Sequence, residues 1–356
     1  MYRDPEITNF LGLNNRTDTL ADDAAWFTAC DNCDVDALGR VDLAKGTSKV
    51  YTGTPKYAYA TKDQTRLYFT DGTSLKVYPD TTMATLTTTG RMHWCEVNNL
   101  VYYSNGVDRG VIDGDIVRAW GIDVPHPPVC VSASGHLIPG NYQVAITQLV
   151  DGRESGAMES TTFEVTDGGI ELTLGSGTKA IYVSSNETLY FYGVTDLTTY
   201  TVGHLPRGRR LTTQFMEPPP DGSGPMMWMN GYLWIAVGNV AVPSMLHSYD
   251  LFDWSRAVQF DSDIRAMADG IVATKTQILR IDGTELAGYG VPDGWPIRGG
   301  LIMTNRGLKS LSDFSDVGGY SLPIPAQADV AIVEDRGYRR AMISMRDAAS
   351  AYNTED

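Results

Sequence analysis

Three groups of residues in this chain have types and spacings that chemistry could use. Cys30 and Cys33 form a C-x-x-C pair. A redox pair wants a helix N-terminus to lower the thiol pKa, and a zinc site wants a second pair of ligands. Residues 26–35 read as an extended run, in which positions three apart point to opposite faces, and no helix follows. Cys95 and Cys130 stand isolated, with only His93 and His126 nearby. Cys30 and Cys33 are therefore expected to be small buried hydrophobes. Asp31, Asp34 and Asp36 suggest calcium, but their spacing is not that of an EF-hand loop and Gly39 comes too late for its sharp turn, so they read as a solvated hairpin tip. Gly175-Ser176-Gly177 precedes Thr178 and Lys179 in the manner of a phosphate cradle. It opens a strand rather than a helix, and a hairpin turn is the expectation.

Other catalytic signatures are missing. H-E-x-x-H, G-x-S-x-G and G-x-x-x-x-G-K-[ST] do not occur. A glycosidase needs two carboxylates at a set separation, but with 43 Asp and Glu some pair meets it by chance, so the criterion decides nothing. No sialidase-type S-x-D-x-G-x-x-W repeat is present, and Trp94, Trp120, Trp228, Trp234 and Trp254 lie mostly in strand-like runs that use Trp as core. No catalytic, cofactor-binding or metal-binding residue is assigned, no cofactor is expected, and the chain reads as a non-enzyme.

The net charge of -15 argues against gripping nucleic acid, which needs clustered Lys and Arg. The one basic cluster, Arg207, Arg209 and Arg210, sits in a Pro- and Gly-containing stretch. It reads as a solvated linker, the alternative being an electrostatic contact with an acidic neighbouring subunit. The longest apolar runs, such as residues 231–237, fall far short of the roughly 20 residues a membrane helix needs. The start, Met1-Tyr2-Arg3-Asp4-Pro5, has no apolar leader region, so a soluble, leaderless chain in a reducing compartment is expected.

The elements that must carry these residues are almost all strands. Only residues 18–29 and 345–352 have weak helical periodicity. Elsewhere, runs of apolar and aromatic residues end in Asn, Asp or Gly turns. Leu67-Tyr68-Phe69-Thr70-Asp71-Gly72 and Leu100-Val101-Tyr102-Tyr103-Ser104-Asn105-Gly106 follow one plan. Residues 233–239, 270–274, 300–305 and 341–345 repeat it. Within each half of the chain the recurrence falls every 30 to 40 residues or so, the spacing of propeller blades. Apolar residues on both faces suit a strand packed between neighbouring blades.

The rhythm changes after the Pro-rich Val124-Pro125-His126-Pro127-Pro128. Six or seven short strands in about 80 residues then match a fibronectin type III or immunoglobulin-like β-sandwich. The exit, residues 217–225, has linker composition. The expected fold is all-β: a discontinuous β-propeller (1–124 and 226–356), an inserted sandwich (125–203) and a linker (204–225).

The opening resembles a known family. Ile7-Thr8-Asn9-Phe10-Leu11-Gly12-Leu13-Asn14-Asn15-Arg16 is followed by Leu20-Ala21-Asp22-Asp23-Ala24-Ala25, Cys33-Asp34-Val35-Asp36, Gly39-Arg40 and Gly46. This order resembles bacteriophage tail proteins of the nozzle, or tail tubular B-like, group. Asp34 stands where that group usually has Asn, and Val41-Asp42-Leu43 where a basic residue is common. Asn141-Tyr142-Gln143-Val144-Ala145-Ile146-Thr147, Asp151-Gly152-Arg153-Glu154-Ser155-Gly156, residues 180–185, 229–239 and 273–278 extend the likeness across most of residues 7–285. The resemblance implies a virion tail subunit, assembled in the host cytoplasm, in a ring, usually sixfold, that continues the DNA channel below the portal and adaptor. DNA would pass such an acidic lumen without specific binding. Partners would be further copies, the portal-proximal adaptor or other tail proteins, and tail fibres. The alternative function is a host-receptor (glycan) binding module or a tail-fibre attachment protein. Aromatics placed in linkers and loops, Phe10, Phe215, Tyr249, Phe252 and Trp254, are the candidate subunit-interface anchors.

Overall fold

The computed structural model describes residues 50–291 and 300–315 apart from Asn305, together with strands at 12–13, 26–27, 33–35, 41–43, 328–335 and 338–345. Two compact units result: Pro55–Gly290, and Met1–Thr54 with Val291–Asp356. Strands dominate throughout, and one 3-10 turn, Trp254–Arg256, is the sole helical element among the described residues.

Within the second of these units, Gly12–Leu13 pairs in parallel with Trp26–Phe27, so Trp26 and Phe27 follow the extended run at 26–35 rather than the weak helical periodicity of 18–29. Cys33–Val35 forms a hairpin with Val41–Leu43. Leu301–Thr304 pairs with Gly307–Ser310, and Ala328–Asp335 with Tyr338–Met345. The side chains of Cys30, Cys33 and the Asp31, Asp34, Asp36 group lie outside the described residues, as does Phe10.

The larger unit is built from consecutive four-stranded antiparallel meanders. Sheet I comprises Lys56–Ala60, Leu67–Asp71, Ser74–Val77 and Thr81–Thr85; sheet II comprises His93–Val97, Leu100–Ser104, Arg109–Asp113 and Ile116–Arg118. Sheet III runs Ser223–Met229, Tyr232–Val237, Val240–Met245 and Ser248–Phe252, with Val258–Gln259 added beside its third strand. Sheet IV runs Ile264–Ala268, Ile271–Thr274, Ile278–Arg280 and Glu285–Ala287. The recurring sequence run is the second strand of each sheet. It is hydrogen-bonded on both sides and covered on both faces, so both alternating sets of side chains are apolar.

The covering is visible residue by residue. Val101 and Tyr103 of sheet II join Tyr57, Tyr68 and Leu75 of sheet I in one core. The intervening Tyr102 turns the other way, into a core with Leu233, Ile235 and Phe252 of sheet III. Trp234 and Ala236 of sheet III then point to Val272, Met267 and Leu279 of sheet IV. The first strand of sheet III lies against the first strands of sheets II and IV. Sheets stacked face to face in chain order in this way make the unit propeller-like.

Polar groups pin the seams. Trp94 Nε1 donates to the Tyr57 carbonyl at 3.0 Å, and the Trp94 ring stacks on Tyr59 with centroids 5.7 Å apart. The buried Glu96 carboxylate accepts the Lys62 backbone N–H at 2.8 Å. Ser104 Oγ donates to the Ser223 carbonyl at 2.7 Å, joining sheets II and III.

Between sheets II and III the chain makes a two-sheet β-sandwich. One sheet is Val129–Leu137, Gly168–Thr173 and Thr199–Val202. The other, longer sheet is Gly140–Val150, flanked by Arg153–Glu154 and Thr161–Val165 on one side and by Lys179–Ser184 and Tyr190–Thr195 on the other. They enclose a core of their own, including Tyr142, Val144, Ile146, Ile170, Leu172, Ile181 and Val183.

The stretch 204–225, expected as linker, is structured for much of its length. Phe191 N–H donates to the Arg209 carbonyl at 2.7 Å and Leu211 N–H to the Leu189 carbonyl at 2.9 Å, which adds residues 208–211 to the free edge of the long sheet. Leu211 is buried against Ala157, Ala180 and Tyr182. Pro and Gly in this span mark tight packing rather than freedom.

Candidate functional site

The root of the sandwich is a tightly packed joint of the larger unit. The chain leaves sheet II through Trp120-Gly121-Ile122, all three buried, and returns at Glu217-Pro218-Pro219. Gly121 has φ +82°, and a Cβ there would collide with Pro219 Cδ and Pro218 Cβ, so the outgoing and returning chains lie side by side. Adjacent ends are what allow one domain to be inserted into another.

The return is fastened to sheet III: Glu217 N–H donates to the Phe252 carbonyl at 3.0 Å, and Phe252 N–H to the Glu217 carbonyl at 2.7 Å. Trp120 Nε1 donates to the Tyr249 carbonyl at 2.7 Å. Its ring packs on Tyr102 and edge-on to Phe252, with centroids 5.2 and 5.8 Å away. Aromatic pairs of this kind contribute about 0.5–1.5 kcal/mol beyond their burial. A Cβ at Gly156 would run into the Met216 carbonyl, so the segment before sheet III also presses on the sandwich.

Charge completes the joint. Asp250 of sheet III lies 3.5 Å from Arg118 of sheet II and 3.3 Å from Arg153 of the sandwich. Its Oδ1 also accepts the Gly121 N–H at 3.2 Å. One carboxylate thus ties three parts of the unit at the point where they meet.

A cleft of about 1090 Å³ opens between this joint and the turns of sheet II, lined by Asp108, Arg109, His126, Arg153, Lys179 and Asp221 among others. Arg109 pairs with Asp221 and Arg153 with Asp250. Asp108 accepts from the Thr87 and Thr88 N–H groups, from Thr87 Oγ1 and from Asn105 Nδ2. Burial pushes the Asp108 carboxyl up, but the bonds from Thr87, Asn105 and Thr88 outweigh it and hold it below the ordinary value.

Lys179 is fully buried, and its Nζ donates to Gln148 Oε1 and to the carbonyls of Ser176 and Gly177. Burial holds its ammonium below the ordinary lysine range. The Gly175-Ser176-Gly177 turn therefore directs carbonyls at a lysine of its own chain, whereas a phosphate cradle directs N–H groups at an anion. Nor is it a hairpin, as the sequence suggested: Thr173 and Lys179 belong to different sheets, and the turn arches between them.

Burial sets the state of the described thiols and of His93. Burial pushes the Cys95 thiol up to about 12 and that of Cys130 to about 11, away from reactive thiolate. Burial, with Arg91 nearby, pushes His93 down to about 3, so its imidazole stays neutral. Among the described residues no group of three or more His, Cys, Asp and Glu side chains is placed to hold a metal. No helix among them is long and apolar enough to cross a membrane.

The expected interface anchors divide. Phe215 is 62% exposed and Trp254 38% exposed. Tyr249 and Phe252, by contrast, are buried in the core between sheets II and III, and cannot serve as exposed anchors as they stand. They lie on the last strand of sheet III, which folds back onto the Trp120 joint instead of forming a loop. Nothing in the sequence relates Asp250, which lies between them, to positions 118 and 153.

No family model matches the chain, and no curated protein matches it. Solved structures show only remote likeness. Apo AztD from Citrobacter koseri shares 13% identity over 78% of this chain and 87% of its own, with a TM-score of 0.28. BBS1N, in a complex with ARL6DN, shares 11% identity over 73% of this chain and 92% of its own, with a TM-score of 0.20. The extracellular domain of the one-component system BT4673 from B. thetaiotaomicron shares 11% identity over 85% of this chain and 38% of its own, with a TM-score of 0.25.

Proposed function

We propose that the chain is a non-catalytic structural subunit of a bacteriophage tail, of the nozzle or tail tubular B-like kind. In this reading a discontinuous propeller spans 1–124 and 226–356, and the inserted sandwich is of the fibronectin type III or immunoglobulin-like class. The observation that carries the reading is the docked insertion. A module with its own core stands at a root braced by Trp120, Asp250 and the paired Glu217 and Phe252. That arrangement presents surfaces at a fixed angle, which suits a repeating assembly. In the neighbouring cleft Arg109 is paired with Asp221 and Arg153 with Asp250, while Asp108 is held by Thr87, Thr88 and Asn105 and Lys179 by Gln148 and two backbone carbonyls.

Copies would form a ring, sixfold by the family resemblance, below the portal-proximal adaptor, and DNA would pass a lumen that the net charge of -15 keeps unattractive to phosphate. Phe215 and Trp254 remain the exposed apolar anchors for its contacts. The test is electron-microscopy class averaging and native mass spectrometry of the full chain, with its copy number in purified virions. Closed rings and a fixed virion copy number are expected. Absence from virions, or isolated monomers at fibre tips, would refute the channel reading. That outcome would favour a second reading, a glycan-binding host-recognition module, for which the exposed Trp228 and Trp254 are the supporting feature.

A further inference from the structure

The long sheet of the sandwich carries opposite charge on its two edges. At one edge lies Thr161–Val165, paired with the first half of Gly140–Val150. Glu159, Glu164 and Asp167 are exposed there, and residues 157–168 contain no Lys, Arg or His. At the other edge, residues 208–211 pair with the outer side of Tyr190–Thr195. Arg207, Arg209 and Arg210 are exposed there, and residues 204–211 contain no Asp or Glu. Arg209 is engaged by Glu154, whereas Arg207 and Arg210 form no ion pair among the described residues.

The strand order puts Gly140–Val150, Lys179–Ser184 and Tyr190–Thr195 between these edges. At about 4.8 Å per strand the edges are roughly 20 Å apart. That is well beyond the Debye length of about 8 Å at physiological ionic strength. Apart from the Arg209–Glu154 pair, the acids at 159, 164 and 167 and the arginines at 207 and 210 do not neutralise one another within the sandwich, and a second copy can satisfy their complementarity.

The rest of the chain sharpens this. With 43 acidic against 28 basic residues, two copies repel over most approaches. Contact is favoured where one copy presents a locally positive, rigid surface. The arginine edge is such a surface, because backbone pairing to Leu189 and Phe191 fixes residues 208–211.

We propose that these edges are the two halves of a head-to-tail contact between copies of this chain. The Glu159, Glu164 and Asp167 edge of one sandwich docks against the Arg207 and Arg210 edge of the next. The proposal rests on the ring reading above and supplies its contact. Because the two halves are different surfaces, the contact repeats around an axis instead of ending at a dimer.

The test uses the full chain and three variants: R207E/R210E, E159K/E164K, and all four substitutions together. Self-association is measured by sedimentation velocity and native mass spectrometry at about 0.15 M salt, with thermal unfolding as the check on folding. Each double variant is expected to weaken self-association about tenfold or more. The fourfold variant, with both edges reversed, should regain it. An equimolar mixture of the two double variants should also assemble, since one then has two acidic edges and the other two basic ones. If the double variants associate like the wild type, the edge contact is overturned while the ring reading stands. If R207E/R210E leaves self-association intact and instead abolishes retention on DNA, the arginine edge serves nucleic acid and the proposal is overturned. If the wild type neither self-associates nor occurs in multiple copies in virions, both readings fall.

Discussion

Asp250→Ala removes the one carboxylate shared by sheet II, sheet III and the sandwich. The side chains of Asp250, Arg118 and Arg153 are 17%, 24% and 20% exposed, so the group is neither open to water nor sealed from it. Fully exposed pairs contribute about 0.2–1 kcal/mol each. Removing one partner of a buried pair costs about 3–5 kcal/mol, because the other charge is left stranded. Two contacts of intermediate burial, loss of the Gly121 N–H acceptor and two arginines left facing each other give an expected cost of about 2–3 kcal/mol. For a unit of this size that corresponds to a fall in Tm of about 5–10 °C. Asp250→Asn keeps an oxygen for Gly121 and loses the charge, and should cost about half as much. Urea unfolding provides the measurement. A double-mutant cycle with Arg153→Met isolates the bond to the sandwich, with an expected coupling of about 1 kcal/mol. A loss below about 0.5 kcal/mol for Asp250→Ala, with no coupling to Arg153, would show that the root is held by Trp120 and the backbone alone.

Replacing residues 122–217 with a short Gly/Ser linker should leave a cooperatively unfolding β-protein, because Gly121 and Pro218 are already adjacent; loss of folded structure by circular dichroism would mean that the sandwich supplies essential packing. Asp108→Asn should destabilise by about 1–2 kcal/mol at pH 7. Since folding lowers the Asp108 pKa from its ordinary 3.8, the carboxylate contributes fully above that value and loses its contribution as pH falls through the folded one. The gap between wild type and variant should therefore narrow in urea titrations as pH is taken progressively below 3.8, and a gap unchanged with pH would refute a role for the charge. Cys95, with its thiol pushed up to about 12, should resist a thiol reagent in the native protein at pH 8 and react on unfolding; rapid native labelling at that position, read by peptide mass, would contradict its burial.

Much of the architecture was legible because it repeats in one kind of strand. Leu67–Asp71, Leu100–Ser104, Tyr232–Val237 and Ile271–Thr274 are central, covered on both faces, and so written almost wholly in apolar and aromatic residues. First and fourth strands were harder to see. Thr81–Thr85 is largely exposed and polar, and Lys56–Ala60 alternates weakly. Within the sandwich, Thr161–Val165 and Lys179–Ser184 were visible from their β-branched content, bounded by turn residues. Sheet membership was not visible. The turn at 175–177 looks the same in sequence whether it closes a hairpin or arches between sheets.

Two of the five expected anchors, Tyr249 and Phe252, are buried for a related reason. Asp250 and Asp253 interrupt the apolar pattern around Tyr249 and Phe252, so the sequence there does not show a strand. In the structure Asp250 answers two arginines from distant segments, and Asp253 caps the 3-10 turn that follows by accepting from the Ser255 N–H. Both acids are paired by non-local or local hydrogen bonding, which leaves the strand between sheets intact. Gly208 misled in the opposite direction. Beside Pro206 and the arginines it suggested a flexible linker, yet a Cβ there would collide with the Phe191 carbonyl and ring. Glycine is required at 208 for the arginine segment to lie against the sheet edge. The same residue that signals freedom in a one-dimensional reading is what fixes Arg207 and Arg210 on a rigid surface, and a fixed charged edge is what a repeating contact needs.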